Sequence, residues 1–195
     1  IKDGLMPIIK KNINFKRKKL NIHFKNENDQ LSLFKEYINL IGIPKTKFSI
    51  DISMHPFTTI ISKNDVRITT SNANPADLFF TLVHESGHAL YDLGLPKKYN
   101  MTLLFGSPSY GLHESQSLIW EFMICKNKSF WDGYWPLFRK HISFIKYEEF
   151  LEWINSPNPT LIRIKSDELF YPLHIIMRYE IEKGLIDGSI PVDMV

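Results

Sequence analysis

One pentapeptide constrains this chain more than any other stretch: His84-Glu85-Ser86-Gly87-His88. It has the H-E-x-x-H spacing. Residues four apart lie one turn above each other on the same face of an α-helix, so both imidazoles can reach a common point. Glu85 is offset by one position and reaches a water held at that point. The flanking residues Phe79, Phe80, Leu82, Val83, Ala89 and Leu90 are apolar, which makes this a buried helix. Two histidines and a glutamate are costly inside such a helix unless they are paired or hold a metal. Asn74 provides an N-cap, Pro75 fits the first turn, and Gly94 marks the end.

A catalytic zinc site takes three protein ligands and keeps a fourth position open. The third ligand belongs on a second element, and His113-Glu114-Ser115-Gln116-Ser117 opens the next helical stretch. Neighbouring residues point about 100° apart on a helix, so one of His113 and Glu114 faces the metal and the other does not. Glu114 is the expected ligand and His113 the competitor.

Elsewhere Asp29 is a candidate N-cap for an apolar stripe from Leu31 to Ile41, which Gly42 and Pro44 close. Phe48–Ile52 alternates as a strand. Phe57–Ile61 and Val66–Thr70 read as an antiparallel hairpin across Ser62-Lys63-Asn64-Asp65. Further helices are expected near 112–127, 129–142, 147–154 and 161–183, with Pro172 kinking the last of them. The reading is a mainly α protein with a small antiparallel β hairpin or sheet beside the active site.

Composition excludes little. Lys10, Lys11, Lys16, Arg17, Lys18 and Lys19 crowd the start, but no nucleic-acid motif accompanies them, so they read as a solvated face. No apolar run approaches the roughly 20 residues of a membrane span. Cys125 is the single cysteine, so no disulfide can form within the chain, which suits a cytoplasmic protein.

The ordered blocks together resemble the carboxypeptidase Taq family of metallocarboxypeptidases. His55-Pro56-Phe57 resembles its H-P-F, and Asp65-Val66-Arg67-Ile68-Thr69 its D-x-R-x-T. His84 to Tyr91 resembles H-E-x-G-H-A-L-Y, His113 to Ser117 resembles H-E-S-Q-S, and Arg178-Tyr179-Glu180 resembles an R-Y-E segment. The resemblance spans residues 30–190. It implies a helical, zincin-like exopeptidase that frees single C-terminal residues with broad side-chain tolerance. It also implies Zn²⁺ or Co²⁺ held by His84, His88 and Glu114, Glu85 as catalytic base, peptide substrates and a homodimer. A bidentate arginine suits reading of the substrate's free carboxylate. Arg178 is the first candidate and Arg67 the second. His55, Asp65, His113 and Tyr179 are expected to orient or position other groups.

Family members are much longer, and neither their N-terminal groove helices nor their C-terminal G-x-x-Q-D-x-H-W block is present. Leu118 stands where the family usually has Arg. The chain is thus expected to be a single partial catalytic domain over 1–195. Its alternatives are a metal-binding piece without turnover or an H-E-x-x-H endopeptidase. Trp120, Phe122, Trp131 and Trp135 are the residues expected to lie exposed.

Overall fold

The computed structural model describes residues 2–70 and 74–194. Seven α-helices are described: α1 (Lys2–Asn12), α2 (Asp29–Leu40), α3 (Pro75–Gly94), α4 (Tyr110–Leu118), α5 (Lys128–His141), α6 (Tyr147–Ile154) and α7 (Tyr171–Asp187). The three strands are β1 (Phe48–Ile52), β2 (Phe57–Ser62) and β3 (Asp65–Thr70). The chain divides into two compact units, Asn21–Leu151 and Ile1–Leu20 with Glu152–Val195.

In the larger unit the strand order is β1-β3-β2. β2 and β3 form the expected antiparallel hairpin, with Thr58 opposite Ile68 and a register shift between Ile60 and Ser62. The sheet is mixed, however, and not purely antiparallel, because β1 pairs β3 in parallel, Phe48 opposite Val66. The link between β1 and β2, residues 53–56, is long enough to carry the chain past the position of the central strand. β3 buries Val66, Ile68 and Thr70, and α3 packs on β2 and β3.

The other side of α3 meets an aromatic core. Phe79 lies between Tyr37 of α2 and Trp131, Tyr134 and Phe138 of α5, with ring centroids 5.0–5.4 Å away. Phe150 of α6 closes on Trp131 at 4.5 Å. Such offset and edge-on pairs contribute about 0.5–1.5 kcal/mol each beyond their buried area. Trp131 is therefore at the centre of the core and fully buried, against the expectation of exposure, and Trp120, Phe122 and Trp135 are only partly exposed. Among the open apolar residues are instead Met54, Met101, Leu103, Tyr110, Leu161 and Ile186.

Three helix boundaries differ from the sequence reading. Asn28, not Asp29, occupies the N-cap position of α2, and the Asp29 carboxylate accepts from the Asn26 main-chain N–H at 2.8 Å. The expected helix 112–127 is α4 followed by a π-helical turn, Ile119–Ile124, in which Cys125 N–H donates to Trp120 O. The helix expected over 161–183 begins only at Tyr171, so Pro172 sits in its first turn and does not kink it. Proline lacks an N–H that the first turn has no use for. Asp167 Oδ1 stops the preceding chain by accepting from Leu169 and Phe170 N–H at 2.8 and 2.9 Å. α1 went unanticipated. Among the described residues no helix is long and apolar enough to cross a membrane.

Candidate metal centre

α3 is set from its first turn. Asn74 Oδ1 accepts from Ala76 and Asp77 N–H at 3.1 Å each, and Pro75 follows the cap. α4 is likewise capped, with Ser109 Oγ accepting from Leu112 N–H at 3.1 Å. The two helices approach closely because of Gly87. A Cβ there would lie 2.7 Å from Ser117 Cα and 3.0 Å from Gln116 O, both main-chain atoms. Glycine inside a helix costs stability, yet only glycine lets α4 come this near.

That approach delivers Glu114 to the two α3 histidines. Its Oε2 lies 3.6 Å from His84 Nε2 and 3.3 Å from His88 Nε2. Ligand atoms of these three residues all fall within 4.8 Å of one another. A tetrahedral ion with bonds of about 2.0–2.1 Å has ligand-to-ligand edges of roughly 3.4 Å, and both histidine-to-glutamate edges stand near that length. The donor set fits the metal.

The two histidines are held differently. His84 Nδ1 is 2.8 Å from Glu121 Oε2, a carboxylate on the π-helical turn. This fixes the ring so that Nε2 faces the cluster. Burial pushes the His84 imidazole down, but the hydrogen bonds and charges of Glu114 and Glu121 outweigh it and hold the metal-free group up at about 10. His88 Nδ1 is buried with no hydrogen-bond partner among the described residues. Its ring instead stacks on His113, centroids 4.3 Å apart and 15° from parallel.

His113 thus lies beside the cluster, not in it, and its Nε2 is 3.0 Å from Asp92 Oδ1. Burial raises the Asp92 carboxyl, and the neighbouring His113 and His88 pull against that. Glu85 is buried, and its Oε2 accepts from Thr58 Oγ1 at 2.7 Å.

Glu121, Asp92 and Thr58 were missed from the sequence. Asp92 repeats the four-residue step from His88, and Glu121 stands two turns beyond Glu114, so both carried a helical signal. Thr58 carried none, since only the packing of β2 on α3 brings it to Glu85.

The remaining candidates have other partners. Arg67 donates from Nε and Nη2 to the two Asp65 carboxylate oxygens at 2.6 Å each, and from Nη1 to Ser49 Oγ at 3.1 Å. Its guanidinium holds the Asp65 carboxyl below the usual range. His55 is exposed, and its main-chain oxygen accepts from Thr69 Oγ1 at 2.8 Å. In the smaller unit, Arg178 and Tyr179 are exposed on α7, where Arg178 Nη2 meets Glu182 Oε1 at 3.1 Å.

Residues 1–195 match the model of a family described as carboxypeptidase Taq (M32) metallopeptidase. Carboxypeptidase 1 of Bacillus subtilis is 33% identical over 205 residues, covering 99% of this chain and 40% of its own length. Thermostable carboxypeptidase 1 of Thermus thermophilus is 37% identical over 166 residues, covering 82% of this chain and 32% of its own. Among solved structures, the M32 carboxypeptidase of Deinococcus radiodurans superposes with a TM-score of 0.85 at 31% identity, over 96% of this chain and 39% of that one. A carboxypeptidase of Pyrococcus furiosus gives 0.88 at 29% identity, over 97% and 40%. The chain spans 30–40% of the length of the curated relatives it matches.

Proposed function

The chain belongs to the carboxypeptidase Taq family of metallopeptidases, and from that premise we propose that it is the metal-binding part of a carboxypeptidase that releases single C-terminal residues from peptides with broad specificity. The observation that carries this reading is the convergence of His84, His88 and Glu114 within 4.8 Å, with Glu85 buried beside them.

In this reading His84 Nε2, His88 Nε2 and Glu114 Oε2 hold zinc, with cobalt an alternative, since imidazole and carboxylate donors suit both. Bound there, the metal would act as a Lewis acid and lower the pKa of a bound water towards neutrality. Glu85 accepts the water's proton as the oxygen attacks the scissile carbonyl, then returns it to the leaving amine. Glu121 keeps the His84 ring turned so that Nε2 would be available to the metal, and His113 supports the His88 ring by stacking.

An exopeptidase must bind a free carboxylate. Arg178 is the proposed reader, because its exposed pairing with Glu182 is easily exchanged for a substrate carboxylate. Arg67 is second, since a bidentate contact to Asp65 already fills its fork. His55, Asp65 and Tyr179 are proposed as positioning groups. We take the two compact units as parts of one catalytic domain. A cytoplasmic, homodimeric protein that does not bind nucleic acid completes the proposal, supported by the single cysteine and the family resemblance.

The test compares a peptide with its C-terminally amidated twin on the zinc-loaded protein. Cleavage of the free acid alone is expected, and equal cleavage of both means an endopeptidase. Glu85→Gln should lower turnover by about 10²–10⁴-fold while zinc stays bound, because the amide keeps the shape and cannot accept the proton. Unimpaired turnover in that variant overturns the mechanism. The share of its relatives that the chain spans favours one second reading, metal binding without turnover. Zinc uptake with no cleavage of either peptide would establish it.

A further inference from the structure

We propose that Thr58 is a positioning residue for Glu85, a role that rests on the general-base reading above and extends it to a second element of the fold. Thr58 Oγ1 lies 2.7 Å from Glu85 Oε2 and 2.9 Å from the main-chain oxygen of the same residue. Both are acceptors, and a hydroxyl has one hydrogen. The carboxylate is the stronger acceptor, so the hydrogen goes to Oε2. Among the described residues Thr58 is the single hydrogen-bond partner of that carboxylate.

The consequence is geometric. A glutamate side chain has three rotatable bonds, and its terminal torsion is broad. One fixed donor on Oε2 sets the carboxylate plane and leaves Oε1 to meet the water. The donor is itself fixed, because Thr58 pairs with Ile68 of the central strand β3. The hydroxyl is placed by a strand ladder, not by a loop. A reacting group must be held within about 0.5 Å of its working position, by partners that are themselves locked, and Thr58 meets that requirement from the sheet. This gives the small sheet a part in the chemistry besides supporting α3.

The experiment uses zinc-loaded crystals and kinetics of Thr58→Val, Thr58→Ser and Glu85→Gln. Valine keeps the shape and β-branching and removes the hydroxyl. In Thr58→Val the Glu85 carboxylate is expected to turn or to take two orientations, with zinc affinity within about twofold of the parent. Turnover should show a fall in kcat of about 10–100-fold, the scale of a lost hydrogen bond to a charged group, with KM little changed. Thr58→Ser should return both the orientation and most of kcat.

A single, unchanged Glu85 orientation in Thr58→Val overturns the proposal, whatever the activity. A loss of zinc affinity as large as the loss of kcat also overturns it, since the role would then be structural. If the valine variant does not fold, Thr58→Ala carries the same comparison. Should Glu85→Gln keep its turnover, the general-base reading fails by itself, while the crystallographic orientation still decides whether Thr58 holds the carboxylate.

Discussion

Among the described helices α3 and α7 are the two longest, 20 and 17 residues, and both bear groups proposed for the chemistry. They are held in opposite ways. α3 is capped by Asn74, backed by β2 and β3, pressed against α4 and walled by the rings around Phe79. Among its buried residues are Leu78, Phe79, Leu82, Val83, Glu85, Gly87 and Asp92. α7 buries Tyr171 and Gly184, and leaves Ile175, Met177, Tyr179 and Ile186 largely open. The contrast separates the two kinds of residue proposed for function. A metal ligand must be placed to a few tenths of an ångström before the metal arrives, and that takes a helix fixed on every side. An arginine that reads a carboxylate has a long side chain and a flat fork, and tolerates a looser support.

The contrast breaks first at Phe79. If α3 is fixed mainly by the aromatic core, Phe79→Ala should cost about 3–5 kcal/mol in denaturant unfolding of the metal-free protein. A loss under about 1 kcal/mol would mean that the sheet and the caps suffice. Gly87→Ala probes the α4 side of the same helix. The added methyl meets the Ser117 backbone at 2.7 Å, so a loss of about 1–3 kcal/mol is expected, together with weakened zinc binding as Glu114 is pushed away. An unchanged zinc affinity would show that α4 can shift without losing the ligand.

A smaller effect comes from the charge on His84. The metal-free imidazole, held up at about 10 by Glu114 and Glu121 against its burial, carries a proton at neutral pH. Zinc takes the neutral ring, so uptake must expel that proton. Apparent zinc affinity should therefore rise up to tenfold per pH unit between pH 6 and 8 from this group, and level off towards pH 10. Calorimetry in buffers of different ionisation enthalpy measures the release directly, and no proton release at pH 7 would contradict the pairing with Glu114 and Glu121. The smallest effect belongs to α7. Exposed i,i+4 pairs contribute little, so Arg178→Ala should leave the unfolding midpoint nearly unchanged. It should instead weaken binding of a peptide with a free carboxylate more than that of its amidated twin.

Sequence and structure contributed differently to each part of the site. His84, Glu85 and His88 were legible because helical periodicity alone puts them on adjoining faces, and the cap and the apolar flanks confirmed the helix. Glu114 was legible as one of two neighbours, and only the close contact at Gly87 selected it over His113. The hairpin was legible from its turn and its β-branched runs. The parallel pairing of β1 was not, because a strand's own alternation says nothing about which neighbour it will meet. Pro172 was read as a kink because the apolar pattern ran through it, and Asp167 moved the helix start past that point.

The chain's own periodicities thus determined the helix, the two histidines, the glutamate between them and the hairpin, all of which depend on residues a few positions apart. Tertiary structure decided which neighbour joins the two histidines, the carboxylate behind His84 and the hydroxyl on Glu85, since Glu121 and Thr58 lie 37 and 27 positions from their partners. Contacts at that separation depend on how helix and sheet surfaces pack. Side-chain volume and a single glycine set that packing, and no local repeat in the sequence records it.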